Sequence, residues 1–223
     1  MDILIGIDDA GRGPVIGPMV LAGVLIEKKD EPKLAGWGVK DSKKLTPLKR
    51  EEIAKKILKN FKTCVELAFP DEIDSRGKAG TNLNRIEAVK AARIINVLIK
   101  DQSEKVKVIV DCPSPNTESW KNYLALHVER KEIVEFIIEH KADVNHICCS
   151  AASIIAKTTR DSEIEKIKKE FNIEFGSGYC SDPVTCKFLE ENIDKFGDKG
   201  IIRKSWDTYD KVKAKQEQKK LEF

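Results

Sequence analysis

The run Ile3-Leu4-Ile5-Gly6-Ile7 delivers two adjacent carboxylates, Asp8 and Asp9, to its carboxyl end, and the turn Gly11-Arg12-Gly13-Pro14 follows at once. A short apolar stretch stopped by glycine and proline predicts a strand over residues 2–10. Two acids held in an apolar setting are costly unless something positive neutralises them. In phosphate chemistry a pair of divalent cations commonly does so. The glycine turn adds bare backbone groups and one guanidinium next to those acids in the chain.

Strands and helices alternate along the rest of the chain. Residues 18–26, 63–69, 105–111 and 133–138 predict four further strands. Thr46-Pro47 and Asp182-Pro183 each place a capping side chain before proline at the first helical position. They predict helices over 47–60 and 183–196. Further helices are expected over 81–100, 117–127 and 150–171, and after Ser205. In the 47–60 helix Leu48, Ile53, Ile57 and Leu58 are expected to face inward. In the 81–100 helix the inward set is Leu83, Ile86, Val89, Ile94 and Leu98. Two early strands joined by a tight turn, followed by this alternation, indicate an α/β fold: a five-stranded mixed sheet flanked by helices. The expected division is a main domain over 1–172 and a small helical C-terminal extension over 173–223.

The chain has 223 residues, enough to bury a core without staples. Charged residues make up 35% of it, yet the net charge is only +3. That excludes a protein held to polyanions by bulk charge, but permits a local basic face such as Lys211–Lys220. None of the six cysteines forms a C-x-x-C pair, so no zinc ribbon is indicated. Cys148 and Cys149 sit in an apolar run and read as small buried hydrophobes. Asp8, Asp9 and Arg12 interrupt the N-terminus where the apolar part of a signal peptide would lie. No stretch approaches transmembrane length. A reducing cytoplasmic setting without membrane contact is expected.

Three of the expected strands end near an aspartate: Asp8 and Asp9 after the first, Asp111 after the fourth, and Asp143 just beyond the fifth. Neighbouring strand ends in an α/β sheet gather their side chains at one edge, where ligands usually bind. Four carboxylates there can hold two Mg²⁺ or Mn²⁺ ions about 3.5–4 Å apart. Hard oxygen donors suit these cations and not zinc. His140 and His146 lie close in sequence, but the acids suffice and both histidines read as structural. Gly11-x-Gly13 after a strand suggests a dinucleotide fingerprint, but position 16 is isoleucine and the next segment is a strand, not a helix. That reading is excluded.

The chain carries Gly6-Ile7-Asp8-Asp9-Ala10-Gly11-Arg12-Gly13-Pro14-Val15-Ile16-Gly17-Pro18, Val39-Lys40-Asp41-Ser42-Lys43-Lys44-Leu45, Val110-Asp111 and His140-Lys141-Ala142-Asp143. Then come Ser150-Ala151-Ala152-Ser153-Ile154-Ile155-Ala156-Lys157, Gly176-Ser177-Gly178-Tyr179, Ser181-Asp182-Pro183 and the ending Arg203-Lys204-Ser205-Trp206-Asp207-Thr208. In these segments and their order the chain resembles the ribonuclease HII family, type 2 ribonucleases H, and its archaeal and eukaryotic catalytic-subunit branch in particular. The resemblance implies a ribonuclease H-like fold and cleavage of the RNA strand of RNA–DNA hybrids, including cutting 5′ of single ribonucleotides embedded in duplex DNA. Asp8, Asp9, Asp111 and Asp143 would be the catalytic, metal-binding acids. Gly11, Arg12 and Gly13 would read the ribose 2′-hydroxyl, and Tyr179 would stack on the following deoxyribose. Lys40, Ser42, Lys43, Lys141, Ser153 and Lys157 complete the implied substrate-binding set. The partners implied are the hybrid and ribonucleotide-containing duplexes, bound by a monomer. For a sliding clamp, Gln216, Gln218, Leu221 and Phe223 are only a faint echo of a docking motif.

Two positions depart from the family pattern. Asp9 stands where the family has glutamate, shortening that side chain by about 1.5 Å. A junction-binding protein of weak activity is the alternative this raises. Asn145-His146-Ile147-Cys148-Cys149 replaces a Tyr-Pro-Val-Val-like run and bears on local packing alone. Other two-metal enzymes on this fold, such as integrases and Holliday-junction resolvases, lack the Gly-Arg-Gly turn and the Gly-Ser-Gly-Tyr loop.

Overall fold

The computed structural model describes residues 2–39 and 45–221. In chain order the strands are β1 (Ile3–Ala10), β2 (Met19–Glu27), β3 (Lys62–Ala68), β4 (Val106–Asp111) and β5 (Val134–Glu139). The helices are α1 (Glu31–Gly36), α2 (Pro47–Asn60), α3 (Pro70–Lys78), α4 (Leu83–Ile99), α5 (Thr117–Ala125), α6 (Ala142–Asn145), α7 (Ile147–Phe171), α8 (Pro183–Phe196) and α9 (Asp207–Leu221).

The strands form one five-stranded sheet in the order β3-β2-β1-β4-β5. β1 is central, as its near-continuous burial requires: Leu4, Ile5 and Ile7 are all buried although they alternate between faces. It pairs antiparallel with β2 and parallel with β4, which in turn pairs parallel with β5. The sheet is therefore mixed, as expected.

The proline-marked helices start where their caps place them. Thr46 Oγ1 accepts the Lys49 N–H at 3.3 Å, and Asp182 Oδ1 accepts the Val184 N–H at 2.9 Å. Thr46→Ala is expected to destabilise the protein by about 0.5–1 kcal/mol in urea denaturation. The inward face of α2 is narrower than expected. It buries Ile53, Ala54 and Ile57, whereas Leu48 is 79% and Leu58 55% exposed. A helix turns 100° per residue, so Leu58 is a quarter-turn off the Ile53–Ile57 stripe, and Leu48 is further round. In α4, Ile86, Ile94 and Leu98 are buried and Leu83 and Val89 half-buried. α1 and α3 lie outside the expected set; both are short, and neither is opened by a side-chain cap hydrogen bond. α7 begins at Ile147, not 150, because the brief α6 already turns the chain.

Two compact units are distinguished by their internal contacts. The first comprises Met1–Ala10, Val20–Leu67 and Asn84–Thr159, and centres on a core that includes Leu4, Val24, Ile53, Ile57, Ile109 and Ile155. The second comprises Gly11–Met19, Ala68–Leu83 and Arg160–Phe223. It starts earlier than residue 173 and includes two segments from the N-terminal half. Its core gathers Val15, Ile16, Phe175, Phe188, Ile193 and Phe196, with the Phe175–Phe188 and Phe188–Phe196 ring centroids 5.8 and 5.6 Å apart. Among the described residues no helix is long and apolar enough to cross a membrane.

Candidate functional site

β1 and β4 run parallel and in register to the pair Ile7–Val110, and one residue further on each carries an aspartate, Asp8 and Asp111. Asp143 joins them from the first turn of α6, which follows β5. One carboxylate oxygen from each of the three lies within 4.8 Å of the others. Asp8 and Asp143 are buried and Asp111 is half-buried. Backbone geometry holds the group in place. Lys141 adopts a left-handed conformation (φ 60°), and its N–H donates to Asp111 Oδ1 at 2.7 Å. Ser150 Oγ donates to the Asp143 carbonyl at 2.5 Å.

Asp9 lies outside this grouping of three among the described residues but stays beside it, close enough for its charge to act on Asp8. Asp9 contributes its N–H, which donates to Asp8 Oδ1 at 2.8 Å, while its half-buried side chain lines a small hollow with Asp8 and Asp111.

Burial, followed by the charge of Asp9, pushes the Asp8 carboxyl up to about 8. A hydrogen bond from Ser153 opposes the shift in part, and Lys157 Nζ donates in turn to Ser153 Oγ at 2.7 Å. Ser153 is fully buried, so its hydroxyl serves Asp8 directly. The donor set is all carboxylate oxygen, which fits a hard divalent cation such as Mg²⁺ or Mn²⁺. The histidines have other partners: His140 Nδ1 lies 2.9 Å from the Cys112 carbonyl, and His146 Nε2 lies 3.1 Å from Glu139.

The Gly-Arg-Gly turn belongs to the second unit. Gly11 has φ +78°, and a Cβ there would meet the Pro18 carbonyl at 2.7 Å, so only glycine fits. Arg203 is fully buried, and its guanidinium takes up the turn's carbonyls. Nη2 donates to Gly11 O at 2.5 Å, Nη1 to Arg12 O at 2.7 Å, and Nε and Nη2 to Gly17 O at 3.0 and 2.9 Å. Trp206 Nε1 donates to Gly13 O at 3.0 Å. Burial, and then the nearby charge of Arg160, lowers Arg203 to about 10, which leaves it protonated at neutral pH.

The Gly176–Tyr179 loop is tied to the same turn. Gly178 O accepts the N–H groups of Val15 and Ile16 at 2.9 and 3.3 Å. Gly178 N–H donates to Thr185 Oγ1 at 3.0 Å, and Asp182 Oδ2 accepts both the N–H and the hydroxyl of Ser177 at 2.7 Å. Those bonds hold Asp182 at about 2. The Arg160 guanidinium lies 5.4 Å from the centroid of the Tyr179 ring, whose residue is 40% exposed. A Cβ on Gly13 would be 3.7 Å from Tyr179 Cε1, so ring and turn are neighbours.

Of the remaining expected substrate residues, Arg12 and Lys157 are half-buried, and Gly13 and Lys141 are exposed. Lys40, Ser42 and Lys43 lie outside the described residues. Four residues outside the expected set also border these features. Arg203 lies in the closing motif, which gives no sign of its role, and no local signal marks Arg160 or Thr185. Glu87, 1% exposed on α4, lines the hollow with Asp8, Asp9 and Asp111. Its signal was a carboxylate between Ile86 and Ala88 on the helix's buried side.

Residues 5–209 match the family described as Ribonuclease HII. A protein of that name from Methanococcus maripaludis (strain C6) is 44% identical over 220 residues, covering 98% of this chain and 90% of the relative. The crystal structure of the ribonuclease H2 from Pyrococcus horikoshii OT3 superposes with a TM-score of 0.84 at 40% identity, covering 96% of this chain and 98% of the other. The structure of a PCNA:RNase HII complex from Archaeoglobus fulgidus superposes with a TM-score of 0.78 at 40% identity, covering 92% of this chain and 95% of the other.

Proposed function

Since the chain belongs to the ribonuclease HII family, type 2 ribonucleases H that hydrolyse RNA paired with DNA, we propose that it cuts 5′ of single ribonucleotides embedded in duplex DNA with two divalent cations, leaving 5′-phosphate and 3′-hydroxyl ends. The observation that carries this is the convergence of Asp8, Asp111 and Asp143 within 4.8 Å, with Asp8 buried and its carboxyl pushed up by burial and then by Asp9.

In this reading Asp8, Asp111 and Asp143 hold the cations, and Ser153, backed by Lys157, orients Asp8. Divalent cations, when bound, supply the Lewis acidity that activates water and offsets charge on the scissile phosphate. The backbone of Gly11, Arg12 and Gly13 binds the ribose 2′-hydroxyl, the one group that tells RNA from DNA at a single position. Tyr179, half out of the surface, stacks on the next sugar. Arg12, Lys141 and Lys157, with Lys40, Ser42 and Lys43, meet the substrate backbone, so affinity should fall steeply with salt. The protein acts as a single chain in a reducing compartment, which suits its six free cysteines. A sliding clamp of the PCNA class is a proposed partner on the strength of the Archaeoglobus relative alone. The binding-only alternative is disfavoured because three acids suited to a cation converge without Asp9.

The test is cleavage of a labelled RNA–DNA hybrid in Mg²⁺, in Mn²⁺ and in EDTA. Cutting should require a cation and fall at least about 10³-fold in Asp111→Asn. Full activity in EDTA, or in Asp111→Asn, would overturn the reading. Asp9→Glu should raise the Mg²⁺-supported rate by up to about 10²-fold, since an ångström of misplacement can cost that much. An unchanged rate and metal preference would mean that the shorter acid carries no penalty.

A further inference from the structure

We propose that Arg203 is the positioning residue of the Gly-Arg-Gly turn, aiming the backbone N–H groups of Arg12 and Gly13 at the 2′-hydroxyl; the inference rests on the 2′-hydroxyl reading above and extends it.

Peptide units are planar, and the described chain contains no cis bond. In a trans unit the C=O of one residue and the N–H of the next point in opposite directions. Arg203 Nη2 holds Gly11 O and Nη1 holds Arg12 O. The N–H of Arg12 must therefore point away from the guanidinium, and so must the N–H of Gly13. One side chain thus fixes the direction of two donors. The third unit of the turn, Gly13–Pro14, carries no N–H, and its carbonyl is held by Trp206 instead.

The turn requires an external clamp because glycine restrains its own backbone least. Arg203 is itself anchored by its N–H to Val15 O at 2.8 Å and by the Trp206 ring, 4.7 Å from its guanidinium carbon. Its planar fork presents five donors, and four bonds to three carbonyls use most of them. A lysine at this position has a point charge and cannot span those carbonyls. Donors fixed in advance are what let a site reject a substrate lacking one hydroxyl.

The experiment compares native protein, Arg203→Lys and Arg203→Gln for affinity, in EDTA, towards two duplexes that differ only in one 2′-hydroxyl. Phosphate charge is identical in the two, so their affinity ratio isolates the 2′-hydroxyl from phosphate binding and from general loosening. Native protein should prefer the ribonucleotide duplex by about tenfold or more. Both variants should bring the ratio to within about threefold of unity with little change in all-DNA affinity. A native preference retained by folded variants overturns the Arg203 proposal. Absence of any native preference overturns the 2′-hydroxyl reading instead. If neither variant folds, amide NMR of the native protein decides. Shift differences between the two complexes should be largest at Arg12 and Gly13, and a maximum elsewhere overturns the proposal.

Discussion

Asp8→Asn should abolish cleavage, by about 10³-fold or more, and at the same time raise the melting temperature of the protein in EDTA at neutral pH. Both effects have one cause. Asp8 is 7% exposed, and burial together with Asp9 pushes its carboxyl up to about 8 from 3.8. An ionised carboxylate there opposes folding unless a cation offsets it. Asparagine keeps an oxygen for the Asp9 N–H and Ser153 but removes the charge. The expected gain is on the order of 2 kcal/mol, or roughly 4–8 °C for a chain of this size. The sign is set by linkage. The folded state keeps the Asp8 proton up to about pH 8, whereas the unfolded chain releases it near 3.8. Native stability in EDTA should therefore fall as pH rises between those values, relative to Asp8→Asn. Asp182 works in the opposite sense at lower pH. Its stabilisation is present above about pH 4 and is lost as pH falls towards 2. Thermal scans of both proteins from pH 4 to pH 8 check the claim. A lower melting temperature for Asp8→Asn throughout would contradict it.

Gly6→Ala should be the most destabilising single methyl addition in the first unit, at more than about 4 kcal/mol. A Cβ on Gly6 would lie far inside contact distance of three backbone atoms, 2.1 Å from Cys148 C, 2.3 Å from Cys148 O and 2.4 Å from Cys149 N. No rotamer relieves a clash with backbone, so β1 or α7 must move. β1 carries Asp8 two residues later, and α7 carries Ser153, so the displacement also reaches the acids. Gly77→Ala is the contrast. It sits inside α3 with nothing within 4 Å of the added methyl, and should stabilise by about 0.5–1 kcal/mol. Soluble yield and urea midpoints measure both. A Gly6→Ala protein as stable as native would show that β1 and α7 approach less closely than described.

Features set by local chemistry were legible in the sequence. Thr46-Pro47 and Asp182-Pro183 mark helix starts because cap and proline act within one turn. Asp8 and Asp111 could be read as a pair because each ends an apolar run, and parallel neighbours bring such ends level. What depended on direction was less legible. Asp9 follows Asp8 in the chain and lines the same hollow, yet adjacency alone does not show that it falls outside the tight grouping of Asp8, Asp111 and Asp143. Leu48 and Leu58 were assigned inward because hydrophobicity alone does not fix the width of a helix's buried stripe. What depended on long-range contact was not legible at all. Arg203 meets carbonyls 186 to 192 positions away, and nothing near it in the chain announces that. Asp74 likewise receives the N–H groups of Lys204 and Ser205, at 2.8 and 3.0 Å, from across the sequence.

Junction cleavage at the Asp8–Asp111–Asp143 cluster, as proposed, is tested with duplex DNA containing one ribonucleotide, end-labelled on the strand that carries it, with Mg²⁺ or Mn²⁺ and with native protein beside Asp111→Asn. The expected result is a single cut on the 5′ side of the ribonucleotide, with 5′-phosphate and 3′-hydroxyl ends, no cut in the all-DNA duplex, and none by Asp111→Asn. A cut elsewhere, equal cutting of the all-DNA duplex, or an active Asp111→Asn protein would contradict it.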